Sequence, residues 1–204
     1  MPIISLDGIN GTGKSTVANI LKQRSDWIFV PEFVTTEIGA FLIGETNAKP
    51  HFITQCEVAQ SLLFLSEYAE RMDALHRDNL RDANIRVVER GWLSKYSYQV
   101  CVLERVLPPA QARQLVADIL RVIPQPDAAI LMRVSQDEMT HRLQTRDFAV
   151  TDDFLSFITR ADELMLEAVA GGYPAQIIDT TQRTPTEIAD IIIPYIASFK
   201  DDKN

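Results

Sequence analysis

The sequence predicts an α/β fold in which helices cover both faces of a five-stranded parallel sheet. Five short apolar segments alternate with eight stretches of helical pattern, an alternation typical of parallel sheets. The apolar character of the strand segments is nearly continuous, as expected for strands that are covered on both faces. A length of 204 residues with 46% hydrophobic residues suits one domain, expected to span residues 1–204.

The individual elements follow from periodicity and from turn signals. Strands are predicted at 3–6, 27–30, 85–89, 128–134 and 176–178. Helices are predicted at 14–23, 35–44, 51–82, 94–107, 109–123, 135–146, 152–170 and 185–199. Two helices begin with capping boxes, Ser135 to Glu138 and Thr184 to Glu187. Because proline lacks a backbone donor, Pro194 is expected to kink or shorten the last helix.

A complete phosphate-binding motif follows the first predicted strand. The segment reads G-I-N-G-T-G-K-S and matches the P-loop pattern G-x-x-x-x-G-K-[ST]. Glycines let several N–H groups point at one anion, and the next helix presents its positive N-terminus. Lys14, a loop cation expected to face solvent, would reach the β and γ phosphates of ATP, and the Ser15 hydroxyl would bind Mg²⁺. The predicted ATP-binding residues are Gly8, Ile9, Asn10, Gly11, Thr12, Gly13, Lys14, Ser15 and Thr16.

Composition and charge argue against several other classes of protein. The formal net charge is −8, whereas a protein that binds DNA or RNA needs a basic surface, so no nucleic-acid partner is expected. No run approaches the ~18–20 apolar residues that cross a bilayer, and no targeting segment is evident, so we expect no membrane association and a cytoplasmic location. Cys56 and Cys101 lack a metal-binding spacing and are expected to be buried thiols.

Other nucleotide-binding classes can be tested by their motifs. The guanine-reading N-K-x-D, the switch D-x-x-G and the ABC-type L-S-G-G do not occur in the chain, which leaves a small kinase. Ligands of open α/β sheets bind at the carboxyl ends of the strands. Glu32 follows the second strand there, Glu89 and Arg90 end the third, and Arg142 and Arg146 lie one helical turn apart after the fourth.

Several segments resemble the deoxynucleoside kinases. The stretch 13–34, with Pro31-Glu32, is similar to the same region of that family, and Glu89-Arg90 resembles its Glu-Arg-Ser motif with Gly91 in third place. Gln60-Ser61 resembles the helix whose glutamine reads the nucleobase. The related thymidylate kinases are resembled in Leu62-Leu63-Phe64, Tyr98-Gln99, Pro126-Asp127 and Asp7-Gly8…Asn10-Gly11. The resemblance implies a P-loop kinase fold with a short lid at about 142–153.

The resemblance also implies a reaction, transfer of the γ-phosphoryl group from Mg·ATP to a small nucleoside-like acceptor. Glu32 matches the carboxylate base that takes a proton from the acceptor hydroxyl. Glu89 is expected to hold Mg²⁺ through water. Arg90, Arg142 and Arg146 would stabilise charge on the transferring group.

The acceptor pocket is expected to involve four further residues. Gln60 would read the base, and Trp92 would line the pocket. Where the relatives pair an arginine with an aspartate, this chain has Glu67 and Lys95, so the pair is predicted with exchanged charges, facing across the pocket.

The sequence leaves two alternative functions and the formation of a homodimer as open possibilities. A monophosphate acceptor needs arginines rather than a base, and the arginines of thymidylate kinases fall here on Tyr68 and on Val30 or Pro31, which favours the hydroxyl acceptor. A thymidylate-type nucleoside monophosphate kinase remains the alternative, and a non-catalytic ATP-binding sensor is a third. The helix at 51–82 could also serve a homodimer interface.

Overall fold

The structure, a computed structural model, describes residues 1–33, 36–48, 54, 56–77, 85–146 and 148–199. Five strands form one sheet in the order β2-β3-β1-β4-β5, and every neighbouring pair is parallel. The strands are β1 (Ile3–Asp7), β2 (Ile28–Val30), β3 (Arg86–Glu89), β4 (Ala128–Arg133) and β5 (Ala175–Asp179). The predicted fold class is confirmed.

Eight helices accompany the strands in the described residues. They are α1 (Lys14–Arg24), α2 (Glu37–Ala48), α3 (Glu57–Arg77), α4 (Trp92–Leu103), α5 (Pro109–Arg121), α6 (Gln136–Gln144), α7 (Asp152–Ala170) and α8 (Pro185–Ser198). Parts of the predicted ends of α2 and α3 fall on residues 35, 51–53, 55 and 78–82, which lie outside the described residues. The helix predicted at 94–107 begins two residues earlier, at Trp92, and ends at Leu103, where turns follow.

Alternate residues of the sheet face two separate cores. Ile3 belongs to the core formed with α3, α4, α5 and α7, whereas Ile4 and Leu6 belong to the core formed with α1 and α8. This alternation explains why the strands read as continuous apolar runs. In the part of the chain that the structure describes, no helix combines the length and apolar character needed to cross a membrane.

The helix ends confirm one capping box, correct the other, and show that Pro194 does not end the last helix. Thr184 and Glu187 exchange both capping hydrogen bonds. At α6 the Ser135 hydroxyl accepts from the Glu138 N–H, but the Glu138 carboxylate pairs with Arg142 instead of returning to the cap. Helix α8 continues through Pro194 to Ser198, because the buried side chains on either side of the proline hold it against the sheet.

The cysteines only partly match the prediction. Cys101 is buried within α4, as expected, but Cys56 is exposed. The prediction was wrong for Cys56 because this residue precedes the first turn of α3 instead of lying on its packed face.

Candidate active site

The P-loop joins β1 to α1 and needs glycine for steric reasons. A Cβ atom at Gly8 would lie 2.2 Å from the Met132 carbonyl oxygen, and the backbone there has φ 137°. Gly13 has φ 90°, the left-handed region that L side chains rarely adopt, directly before the first residue of α1. The loop is therefore held tightly against β4.

A cavity of about 370 Å³ opens above this loop. It brings together most of the side chains predicted to bind phosphate and metal, namely Lys14, Ser15, Glu89, Arg90 and Arg146. The Ser15 hydroxyl and the Glu89 carboxylate are oxygen ligands of the kind that Mg²⁺ prefers, with waters and phosphates completing its shell. The described residues contain no cluster of three or more His, Cys, Asp or Glu that would bind a metal without such help.

Lys14 does not face solvent, which corrects the prediction. Its side chain folds back onto the loop, is 8% exposed, and its ammonium donates to the carbonyl oxygens of Gly8 and Ile9, both at 2.8 Å. Burial, followed by repulsion from Arg90, lowers the pKa of Lys14 well below its usual value. Anionic phosphates entering the cavity would stabilise the charged ammonium.

A second cavity of about 420 Å³ adjoins the first. Four residues line both cavities: Asn10, Glu32, Arg90 and Phe148. Five aromatic side chains line the second cavity: Phe33, Phe64, Phe148, Phe157 and Tyr98. A donor phosphate in the first cavity and an acceptor in the second would meet at the four shared residues. We refer to this place as the junction.

A closed arrangement of charged side chains includes two of the junction residues, Glu32 and Arg90. Glu32 lies 2.9 Å from Arg90 and 2.8 Å from Lys95, and Lys95 lies 3.3 Å from Glu67. Glu67 accepts a 2.8 Å hydrogen bond from Arg71, whose terminal nitrogens donate to the carbonyl oxygens of Glu89 and Arg90. These contacts return to Arg90, so we call Glu32, Lys95, Glu67, Arg71 and Arg90 the charged ring.

The predicted pair of Glu67 and Lys95 is present, but its position relative to the acceptor cavity differs from the prediction. The two side chains are in contact, but Glu67 is fully buried and does not line the acceptor cavity. They do not face each other across the pocket, because Glu67 points from α3 into the protein interior towards Arg71. Lys95 alone presents its side chain to the cavity, stacked over the rings of Phe33 and Phe64.

The ring also determines the ionisation of Glu32. Burial alone would raise the pKa of this carboxyl, but the positive charges of Lys95 and Arg90 outweigh it and lower the pKa below its usual value. The resulting stability is present at neutral pH and is lost as the pH falls through that lowered pKa. A carboxylate held in this way is a weak proton acceptor.

The comparisons with known proteins now assign the family. A family model described as thymidylate kinase matches residues 6–191. The chain belongs to the thymidylate kinase family. It is 26% identical to a probable thymidylate kinase of Pyrobaculum aerophilum, over 98% of this chain and 100% of that protein. It is also 26% identical to a probable thymidylate kinase of Methanosarcina acetivorans, over 97% of this chain and 96% of that protein.

Solved structures agree on the fold of this thymidylate kinase family member. A thymidylate kinase structure from Candida albicans superposes with a TM-score of 0.76 at 20% identity, covering 98% of this chain and 92% of that one. One from Ehrlichia chaffeensis gives a TM-score of 0.63 at 15% identity, covering 94% and 98%. The chain is thus a P-loop nucleotide kinase, a phosphotransferase, as the sequence predicted.

Arg142 and Trp92 are among the predicted site residues of this kinase that line neither cavity. Arg142 contacts the P-loop from α6, donating to the Gly11 and Thr180 carbonyl oxygens while paired with Glu138, and its role towards the transferring group stays a prediction. Trp92 stacks on Tyr96, with ring centroids 4.8 Å apart, and packs into the core instead of lining the acceptor pocket. Gln60 and Arg146, by contrast, line the acceptor and phosphate cavities respectively.

Sequence reasoning missed two polar side chains that line the acceptor cavity. Gln99 and Ser94 line it and are almost fully buried, yet the Gln99 Oε1 and Ser94 Oγ atoms have no hydrogen-bond partner in the described structure. Buried polar atoms without partners are rare, so both are candidates to bind an acceptor. Gln99 falls in the Tyr98-Gln99 dipeptide that resembles thymidylate kinases, and that was the available signal.

Asp7, which ends β1, was also missed. It is fully buried, and its carboxylate accepts hydrogen bonds from the Ser5 hydroxyl and from the Ser94 N–H in the first turn of α4. This contact needs Gly91, since a Cβ there would lie 2.3 Å from the Ser5 Cβ. Asp7 thus positions α4, the helix whose residues Ser94, Lys95, Tyr98 and Gln99 line the acceptor cavity.

Proposed function

We propose that this kinase transfers the γ-phosphoryl group of Mg·ATP to the phosphate of a thymidylate-type nucleoside monophosphate. The observation that carries the proposal is the position of Glu32 at the junction, held by Arg90 at 2.9 Å and Lys95 at 2.8 Å. A hydroxyl acceptor needs a base, whereas a monophosphate acceptor is already an anion and needs cations. Relatives named as thymidylate kinases support the same choice over a nucleoside acceptor.

The donor side of the reaction rests on the P-loop cavity. The loop amides and Lys14 bind the β and γ phosphates, with Lys14 leaving its carbonyl partners as the anion arrives. Ser15 and Glu89 would hold Mg²⁺, which would supply neutralisation of the phosphate charge. Arg90 and Arg146, which also line this cavity, stabilise the negative charge of the phosphoryl group during transfer.

The acceptor side rests on the adjoining cavity. The aromatic walls stack on a flat base, and its polar edge meets the unpartnered Gln99 Oε1 and Ser94 Oγ atoms together with Gln60. The acceptor phosphate lies at the junction, where Arg90 can contact it. Donor and acceptor phosphates then share one cation, and this contact brings them into line.

An acceptor panel tests the proposal. We expect ADP release with thymidylate-type monophosphates and little with nucleosides, because Glu32 is a poor base. Glu32→Gln should raise the acceptor KM, since Arg90 and Lys95 lose their partner, while the exposed Glu37→Gln serves as the matched control.

Other outcomes of the panel would point elsewhere. If nucleosides are the acceptors and Glu32→Gln lowers kcat by about 10²–10⁴-fold, the hydroxyl-acceptor reaction with Glu32 as base is correct. Binding of ATP with no acceptor-dependent ADP release would identify a sensor.

Gln99→Leu is expected to raise the KM for the acceptor by about 5–150-fold, the equivalent of the ~1–3 kcal/mol lost when a hydrogen-bonding partner of a buried group is removed. The KM for ATP should not change, because Gln99 lines only the acceptor cavity. Steady-state kinetics with both substrates measure this, and the exposed Gln111→Leu is the control. Equal changes in both KM values would show that Gln99 acts on the fold and not on the base.

A further inference from the structure

Arg71 is a buried charge that the proposed reaction does not use directly. It lies on α3 with its side chain fully buried and lines neither cavity. Its Nε donates to Glu67 at 2.8 Å, and its two terminal nitrogens donate to the Glu89 and Arg90 carbonyl oxygens at 2.9 and 3.1 Å. The hydrogen bonds of its guanidinium therefore all serve the end of β3 or the charged ring, and the guanidinium also lies 5.6 Å from the centre of the Tyr68 ring.

The backbone that Arg71 holds is unusual. Arg90 has φ 54°, a left-handed conformation that costs free energy in any residue with a side chain. Such a conformation persists only where its surroundings impose it. The forked guanidinium meets the carbonyl on each side of this strained residue, a geometry that a single ammonium group cannot reproduce.

The strained turn has a direct effect on the side chain of Arg90. From this backbone the guanidinium reaches Glu32 at 2.9 Å and the Asn10 Oδ1 atom at 2.8 Å, and it lies 5.0 Å from the centre of the Tyr98 ring. All of these partners line the acceptor cavity. A relaxed backbone at Arg90 would turn its side chain away from them.

We propose that Arg71 is a positioning residue for phosphoryl transfer, holding the left-handed backbone that places the Arg90 guanidinium at the junction. Arg71 acts through Arg90 and touches neither substrate. The inference rests on the proposed function only in that Arg90 must contact the transferring phosphates.

A double-mutant cycle on kcat/KM tests the proposal. Arg71→Lys keeps a positive charge for Glu67 but removes the fork, and we expect it to lower kcat/KM by about 10–100-fold in the wild-type background. In the Arg90→Ala background it should lower kcat/KM less than about 2-fold, because there is no guanidinium left to position. Arg77→Lys, on the exposed end of the same helix, is the control. Arg71→Gln is made alongside in case the lysine variant does not fold.

A purely structural role predicts the opposite result. The same fold-loss in both backgrounds would overturn the proposal, since a general loss of packing does not depend on the Arg90 side chain. Full activity of Arg71→Lys, or of Arg90→Ala, would overturn it as well.

Hydrogen exchange gives a second readout that does not depend on activity. Exchange in the peptide covering residues 88–93 should accelerate in Arg71→Lys and not in Arg77→Lys. Unchanged exchange there overturns the role of Arg71. Accelerated exchange in a protein whose wild type phosphorylates no monophosphate overturns the proposed function and supports the structural link between Arg71 and Arg90.

Discussion

Lys14→Ala is expected to lower kcat by at least about 10²–10³-fold, the loss seen when one cationic or hydrogen-bonding contact to a developing charge is removed. The reason is that Lys14 is the P-loop cation of the phosphate cavity. In the structure its ammonium group donates hydrogen bonds to the Gly8 and Ile9 carbonyl oxygens. Its pKa is lowered there, and we expect the pKa to rise again when phosphates surround the ammonium group. Steady-state turnover with saturating acceptor is the measurement.

The control for this variant is Lys22→Ala, on the same helix but outside both cavities. Since Lys14 is buried, its removal also leaves two loop carbonyls without their donor, and we expect a local loosening of the P-loop instead of an unaltered loop. Near wild-type turnover by a folded Lys14→Ala protein would show that the P-loop does not carry catalysis.

Glu67→Gln is expected to destabilise the protein by about 3–5 kcal/mol, the cost of removing one partner from a buried ion pair. The carboxylate is fully buried between Arg71 at 2.8 Å and Lys95 at 3.3 Å, and both cations would lose their counter-charge. For a chain of this size the melting temperature should fall by about 6–20 °C. Thermal unfolding measures this, with Glu70→Gln on the same helix as control.

The cycle of Glu67→Gln with Lys95→Met should give a coupling energy above about 0.5 kcal/mol, as for residues in contact. Charge exchange, Glu67→Arg with Lys95→Asp, should not restore the protein, contrary to the simple pair that the sequence predicts. The cation introduced at 67 would face Arg71, and the carboxylate introduced at 95 would face Glu32. Additive effects, or full rescue by the exchange, would contradict the charged ring.

The fold could be read from the sequence because local signals agreed with the global pattern. The bounds of α7 were predicted without error, since Thr151 caps its first turn and Gly171 follows its last. The P-loop, Glu32, Glu89 and Arg90 were placed on one edge because parallel strands bring their carboxyl ends together. These inferences need only periodicity and strand order.

The remaining site residues depend on three-dimensional partners that no local pattern encodes. Arg71 falls in a helical stretch where charged residues are normally solvated, and its burial is explained by Glu67 together with the carbonyls at the end of β3, which lie far from it in sequence. Arg142 was assigned to the phosphoryl group from its position in the lid, and its contacts with the Gly11 and Thr180 carbonyl oxygens could not be inferred from that position. The direction of Lys14 likewise depends on loop carbonyls and could not be inferred from the motif.

The charged ring has a consequence for how the molecule assembles. Its members come from the segment after β2, from α3, from the end of β3 and from α4, so no single segment carries the whole ring. A partly folded chain that buried one of these segments alone would desolvate charges whose partners had not yet arrived. Folding intermediates in which only part of the charged ring has formed therefore have a raised free energy. The catalytic cleft should form cooperatively, as part of the same all-or-none transition as the core.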